Sequence, residues 1–195
     1  MTSRSAAFIV DAVRTAGGKK NGRLALYHPV DLASATLDAI ITRTGINGAK
    51  VDDVIMGCVS QGGQQAQQIG RNAVLACKLL PASVPSVSID RQCGSSQQSV
   101  QFAYQAILSG TQDLVIAAGV ESMTRVPMGT TATLHMKEGL GNYLSPNLAA
   151  KYNNVMWSQF MGAEMMAKKY HLTKNEMDQF ALDSHLKAAK VQLVS

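Results

Sequence analysis

Short apolar runs alternate with helical periods along the first two thirds of this chain. Runs typical of buried strands occupy four segments, at residues 7–14, 51–59, 84–90 and 114–119. Helical periods follow the first three runs, from about residue 31 to Gly45, from 69 to 80, and from just behind Cys93 to Gly110. The order β-α-β-α-β-α-β predicts an α/β fold whose largely parallel sheet is covered on both faces.

The pattern changes after Met123. Residues 124–157 contain prolines and glycines without a sustained period, which predicts an irregular excursion such as a lid. Helical periods return at 158–170 and behind Thr173, where Thr-Lys-Asn-Glu is a capping box. Methionines at helix spacing favour core packing over a ligand pocket, with both interpretations open: Met156, Met161, Met165 and Met166. The sequence therefore predicts a core half at 1–123 and a lid subdomain at 124–195.

Composition narrows the classes of function. The net charge is +5 with scattered Lys and Arg, and 5% of residues are aromatic, so the platforms that bind nucleic acid are absent. A basic excess of this size suits a phosphorylated small molecule, or is simply a solvated surface. The longest apolar run, residues 114–120, is too short to span a bilayer. The strand pattern begins at Ala7, so we expect no signal peptide.

Three cysteines, an odd number, show no CxxC spacing and no neighbouring histidine: Cys58, Cys77 and Cys93. This pattern favours neither a disulfide framework nor a metal site. A reducing compartment is the natural setting, and we expect the cytoplasm. Cys58 lies within a strand pattern and Cys77 on the packed face of a helix, which predicts a core position for both.

Cys93 differs from the other two cysteines in its surroundings. It is predicted to lie where the third strand passes into a helix, and its sequence neighbours are polar. The unpaired N–H groups and positive end of a helix favour a thiolate, the nucleophilic form of cysteine. Ligands of open parallel sheets also bind at the carboxyl ends of strands. We interpret Cys93 as a reactive nucleophile; the alternative is a small apolar side chain that only packs.

Distinctive motifs occur at residues 10–15 (VDAVRT), 90–96 (DRQCGSS), 117–123 (AAGVESM), and 161–164 (MGAE) continuing to 178–185 (DQFALDSH). In this order they resemble the signatures of the thiolase family, which includes acetyl-CoA acetyltransferases and 3-ketoacyl-CoA thiolases. Ala16 stands where the family usually has proline. Phe160 precedes Met161 where some members have histidine, a change that bears on acyl-chain preference. The resemblance covers the family's N-terminal half and implies its mixed sheet.

The resemblance implies acyl transfer on coenzyme A thioesters, either cleaving a 3-ketoacyl-CoA or condensing acetyl-CoA. Cys93 matches the nucleophile that accepts the acyl group, and its backbone N–H would contribute to an oxyanion hole. Met161 matches a methionine that lines the acyl pocket. Residues 124–190 resemble a lid over the pantetheine arm of coenzyme A. No tightly bound cofactor is implied, and a homodimer or homotetramer is expected.

Other parts of the family pattern do not occur in this sequence. The family's second half supplies Asn-Glu-Ala-Phe, Gly-His-Pro and Cys-x-Gly motifs, and none is present in the 195 residues. His28 precedes a proline but opens the first predicted helix, which favours a structural role. Three further histidines, His135, His171 and His185, have no acidic partner at a readable spacing and are expected at the surface or in packing.

Two expectations and two alternatives follow from this comparison with the family pattern. The chain alone is expected to be inactive and to require a complementing C-terminal thiolase half. The sheet would lack its fifth strand, and its unpaired edge should drive association. A non-catalytic module that binds coenzyme A or dimerises is the alternative, and a ketoacyl-synthase relative is a weaker one.

Overall fold

The computed structural model describes residues 6–155 and 157–192. The chain divides into two compact units, Met1–Asn142 and Tyr143–Ser195. This division falls later than the predicted boundary between residues 123 and 124, because a short helix after that point remains with the first unit.

The first unit contains the predicted alternation of strands and helices, with one strand fewer. Its helices and strands are α1 (Pro29–Thr44), β1 (Asp53–Gly57), α2 (Ile69–Ala76), β2 (Ser86–Ile89), α3 (Ser95–Leu108), β3 (Val115–Gly119) and α4 (Thr130–Lys137). Two short 3-10 helices, Gly48–Lys50 and Gly63–Gln65, lie in the connections.

The described sheet has three strands in the order β2-β1-β3, and both pairings are parallel. β1 is the central strand, and its Val54 and Met56 are completely buried. These side chains belong to a core that α1 and α2 cover from one face. Since the strands are parallel, their carboxyl ends at Gly57, Ile89 and Gly119 lie along one edge of the sheet.

Helix α1 begins and ends as the sequence predicts. His28 is its N-cap, and the His28 Nδ1 atom accepts the Val30 N–H at 3.2 Å, which confirms a structural role for this histidine. Gly45 ends the helix with a left-handed φ of 66° and donates its N–H to Ile41. The buried face of α1 carries Leu37, as its periodicity indicates.

The prediction of a buried strand at residues 7–14 is wrong. The segment pairs with no strand in the described part of the chain, and Phe8, Ile9 and Val10 are 82%, 82% and 71% exposed. Strand-forming side chains produce a strand only where a neighbouring strand supplies hydrogen bonds. The outermost described strand on this side of the sheet, β3, does not pair with the segment.

A cavity of about 1540 Å³ separates the N-terminal segment from β3. Its lining is mainly apolar and comes from the segment itself, α1, α3 and β3, including Phe8, Val13, Leu37, Val100, Tyr104 and Ala117. The carbonyl oxygen of Leu114 and the N–H of Val120 form backbone hydrogen bonds on the side of β3 that faces β1. Because backbone direction alternates along a strand, Val115, Ala117 and Gly119 direct their N–H and C=O groups away from β1.

Helix α2 is shorter than predicted, ending at Ala76 and not at Leu80. Asp38 on α1 explains the early end, because its Oδ1 atom accepts the N–H groups of Lys78 at 2.9 Å and Leu79 at 3.0 Å. The same oxygen accepts the thiol of Cys77 at 2.9 Å. A side chain from another helix therefore takes the place of the next helical turn.

The expected irregular excursion also contains helices, α4 and one in the second unit.

The second unit consists of α5 (Pro146–Lys151), α6 (Gln159–Lys169) and α7 (Lys174–Gln192). The capping box is confirmed, since Glu176 accepts the Thr173 N–H at 2.7 Å and these bonds lower the pKa of the Glu176 carboxyl. The core interpretation of the methionines is wrong for Met161, Met165 and Met166, which are exposed; Met156 lies outside the described residues. Among the described helices, none has the length and apolar character needed to cross a membrane.

Candidate functional site

Cys93 lies in the turn between β2 and α3, which confirms the predicted strand-to-helix junction. β2 ends at Ile89 and α3 begins at Ser95, so the cysteine precedes the helix start by two residues. Cys93 is exposed, whereas Cys58 and Cys77 are buried. The turn therefore presents one accessible thiol at the carboxyl edge of the sheet, beside the positive end of a helix.

The turn before Cys93 has a left-handed residue. Gln92 has a φ of 48°, a conformation that residues other than glycine adopt infrequently. The Asp90 Oδ1 atom accepts the Gln92 N–H at 2.6 Å, and Arg91 O accepts the Gly94 N–H at 3.1 Å. These bonds reverse the chain sharply between strand and helix. Sequence reasoning missed Asp90 and Gln92, although an Asp two residues before a turn amide is a known turn signal.

Two strand glycines let the start of α3 lie directly on the sheet. A Cβ atom added at Gly57 would lie 2.6 Å from both Ser95 C and Ser96 N, and one added at Gly119 would overlap the Ser96 side chain. Each glycine is the last residue of its strand, β1 or β3. The helix that carries the Cys93 turn is thus fixed by backbone contact. A glycine within a strand pattern is the sequence signal for such an approach.

A network centred on Glu121 joins the ends of β1 and β3. Its two carboxylate oxygens accept the N–H groups of Val59 at 2.7 Å and Ser60 at 3.2 Å. The buried Gln65 amide donates to Glu121 at 3.1 Å and to Ser60 O at 2.8 Å, and accepts the Ser122 N–H at 2.7 Å. Glu121 lies within the motif at 117–123, but the sequence alone indicates no partner for it.

The two buried thiols are held in the protonated form. Burial, followed by the charge and hydrogen bond of Glu121, raises the pKa of Cys58 from 9.0 to about 12. Burial and the hydrogen bond to Asp38 raise the pKa of Cys77. The predicted core positions of both cysteines are confirmed. Neither thiol is suited to nucleophilic attack, since attack requires an accessible thiolate.

The other candidate residues lie away from the turn in sequence. Met161 is on α6 in the second unit and is 57% exposed. His135 is on α4, and His185 is on α7. His171 follows α6 with a left-handed φ of 54°. All three histidines are exposed, as predicted. In the described residues, no group of three or more His, Cys, Asp or Glu side chains is arranged to hold a metal ion.

Comparison with known proteins identifies the family that the sequence matches. Residues 7–193 match the family described as thiolase, N-terminal domain. A steroid 3-ketoacyl-CoA thiolase, FadA6, of Mycobacterium tuberculosis is 44% identical over 187 residues, which are 93% of this chain and 45% of that protein.

Two further relatives agree with this assignment. A beta-ketoadipyl-CoA thiolase of Acinetobacter baylyi is 36% identical over 95% of this chain and 48% of its own length. A 3-ketoacyl-CoA thiolase of Bacillus subtilis is 36% identical over 94% of this chain and 45% of its own length. The chain thus spans about half the length of these curated relatives.

Proposed function

Because the chain belongs to the thiolase family, we propose that it supplies the acyl-accepting cysteine for acyl transfer on coenzyme A thioesters, and that this cysteine is Cys93. The observation that carries the proposal is the exposed position of Cys93 in the turn between β2 and α3. Thiolate attack on a thioester suits this reaction because the attacking and leaving sulfurs have similar proton affinities, so the exchange needs little driving force.

In the proposed half-reaction, the Cys93 Sγ atom attacks the carbonyl carbon of an acyl-CoA. A new S–C bond forms, the bond between that carbon and the coenzyme A sulfur breaks, and the coenzyme A thiolate leaves and takes a proton. With a 3-ketoacyl-CoA, the Cys93 Sγ atom attacks the keto carbon, which is carbon 3, and the bond between carbon 3 and carbon 2 breaks. Carbon 2 takes a proton, and acetyl-CoA leaves. The Cys93 N–H would stabilise the oxyanion formed in either case.

Two further roles belong to the same proposal. Met161 would line the pocket for the acyl group, and residues 124–190 would cover the pantetheine arm. The family's Gly-His-Pro histidine and Cys-x-Gly cysteine, which activate the nucleophile and deprotonate the second substrate, do not occur in the 195 residues. We therefore propose that full turnover requires a polypeptide that carries these groups.

Mass spectrometry after incubation with acetyl-CoA tests the proposal. The wild-type chain should gain the mass of one acetyl group, and Cys93→Ser should gain none. Cys77→Ser is the matched control, because Cys77 is buried and lies outside the Cys93 turn. Adding a polypeptide with the family's second-half motifs should give cleavage of a 3-ketoacyl-CoA. No adduct, and no cleavage in the mixture, would exclude catalysis.

The second candidate is a non-catalytic module that binds coenzyme A or dimerises. The open side of β3 and the exposed apolar residues of the N-terminal segment favour it, since unpaired strand edges and exposed apolar side chains promote association. Under this alternative, calorimetry detects coenzyme A binding, and the acetyl adduct is absent.

We also propose that the chain forms homodimers or homotetramers and works in the cytoplasm. Exposed apolar side chains in both units support association, and three cysteines that are not joined in disulfides suit a reducing compartment. Sedimentation velocity over a range of protein concentrations should give a mass that is a multiple of the 20.7 kDa chain. A monomer at every concentration would exclude the homo-oligomer.

A further inference from the structure

We propose that Ser95 is a positioning residue for Cys93, holding the turn that presents the thiol; its importance for acyl transfer rests on the proposed function. Ser95 is the first residue of α3 and is only 4% exposed. Its hydroxyl group points back along the chain. The Ser95 Oγ atom accepts the Arg91 N–H at 2.9 Å and donates to Gln92 O at 2.6 Å.

The direction of these bonds separates Ser95 from an ordinary helix cap. A serine at a helix start usually accepts an N–H group ahead of it, inside the first turn of the helix. Ser95 instead bonds to residues three and four positions earlier, and the N-cap residue Gly94 has no side-chain cap bond. The hydroxyl group is therefore committed to the turn and leaves the first turn of the helix without a side-chain cap.

The side chains of Ser95 and Asp90 together form hydrogen bonds with the backbone N–H and C=O groups around Gln92. Asp90 accepts the Gln92 N–H at 2.6 Å, while Ser95 accepts the Arg91 N–H and donates to the Gln92 carbonyl. These three bonds stabilise the left-handed conformation of Gln92, which otherwise costs free energy. Since Cys93 directly follows Gln92, this conformation sets the direction of its N–H group and its thiol.

Contact with the sheet fixes Ser95 in its turn. A Cβ atom at Gly57 would lie 2.6 Å from Ser95 C and 2.8 Å from Ser95 O, so the serine backbone rests on the end of β1. A hydroxyl group anchored in this way holds the Cys93 turn at a set distance from the sheet. An acyl transfer that needs the Cys93 N–H to meet a developing oxyanion depends on that placement.

Amide hydrogen exchange of the full chain, followed by NMR, tests the bond from Arg91 to Ser95. The Arg91 N–H should exchange slowly in the wild-type chain although the residue is exposed. Ser95→Ala should accelerate its exchange about tenfold or more, because one hydrogen bond is lost. An Arg91 N–H that exchanges at the unprotected rate in the wild type overturns the proposal without any variant, even if Ser95→Ala does not fold.

Ser99→Ala is the matched control, because Ser99 is also buried on α3 but its hydroxyl bonds only to Ser95 O, at 3.2 Å. Ser99→Ala should leave Arg91 exchange within about threefold of wild type, and equal acceleration in both variants contradicts the proposal. Acetylation of Cys93 by acetyl-CoA should fall about tenfold in Ser95→Ala alone. If the wild type itself forms no adduct, the proposed function fails, while Arg91 exchange still tests the role of Ser95.

Discussion

Glu121 accepts the backbone N–H of Val59 at 2.7 Å, and this bond connects the chain just after β3 to the chain just after β1. The two residues are 62 positions apart in sequence. Both strands end at glycines that contact the start of α3. The support beneath the Cys93 turn is thus assembled from three separate parts of the chain, and each part can be tested by substitution.

Gln65→Ala should lower the free energy of unfolding by about 2–4 kcal/mol. Gln65 is fully buried, and its removal leaves the Ser122 N–H without its partner, takes one of two donors from the Ser60 carbonyl and opens a cavity. Urea denaturation measures the change. Gln64→Ala is the matched control, since the exposed Gln64 bonds only to Arg125, and it should change stability by less than about 0.5 kcal/mol. Equal effects would mean that the network does not stabilise the fold.

Gly57→Ala should destabilise the chain by about 1–3 kcal/mol, because the added methyl group meets the backbone of α3. The helix must move away from the sheet to admit it, so acetylation of Cys93 should fall as well. Thermal unfolding and the acetylation assay measure the two effects. In Gly17→Ala the methyl group meets nothing within 4 Å, and neither quantity should change. A stable, fully reactive Gly57→Ala variant would contradict the close contact.

Alkaline pH should destabilise the fold through Cys58. Its pKa is about 12 in the folded chain against an ordinary 9.0, so above pH 9 the unfolded chain loses a proton that the folded chain keeps. The contribution to stability is complete below pH 9 and is lost as the pH rises toward 12, at about 1.4 kcal/mol per pH unit. Urea denaturation at pH 8 and pH 10 should give a smaller decrease for Cys58→Ala than for wild type. Equal decreases would show that Cys58 is not responsible.

Iodoacetamide at pH 8 should alkylate the folded chain once, at Cys93. Cys58 and Cys77 are buried and have raised pKa values, so neither presents an accessible thiolate. Mass spectrometry should count one adduct in the native protein and three in guanidinium chloride. Cys93→Ser should remove the native adduct and leave two in denaturant. Native modification of Cys58 would contradict its burial.

Local features of the fold could be predicted from the sequence. Pro29 and Gly45 delimit α1, and the Thr173 capping box opens α7, because such signals act within a few residues of the chain. The position of Cys93 between strand and helix follows from a change of hydrophobic period, which is also local. The resemblance to thiolases implies an acyl-accepting role for that cysteine, which the hydrophobic period alone leaves open.

Features that depend on distant partners could not be predicted in this way. Residues 7–14 have strand-forming side chains but no paired neighbour among the described residues, and α2 ends early because Asp38 on another helix accepts N–H groups that follow it. The bonds from Ser95 to earlier residues occur in a turn where Gln92 is left-handed, and a glutamine in the sequence does not predict that conformation. For residues 7–14 and α2, the absence or presence of a contact with a distant part of the chain overrides the local pattern, whereas for Ser95 the conformation of the turn decides.

The open side of β3 also restricts the register in which a further strand could pair with it. Its outward backbone groups recur at every second residue, at Val115, Ala117 and Gly119, and the neighbouring cavity has α1 on one side and α3 on the other. A strand added there can shift along β3 by two residues and keep each side chain facing the same helix. A shift by one residue would exchange the two faces completely. A strand that pairs with this edge would therefore need the right order of side chains as well as apolar character.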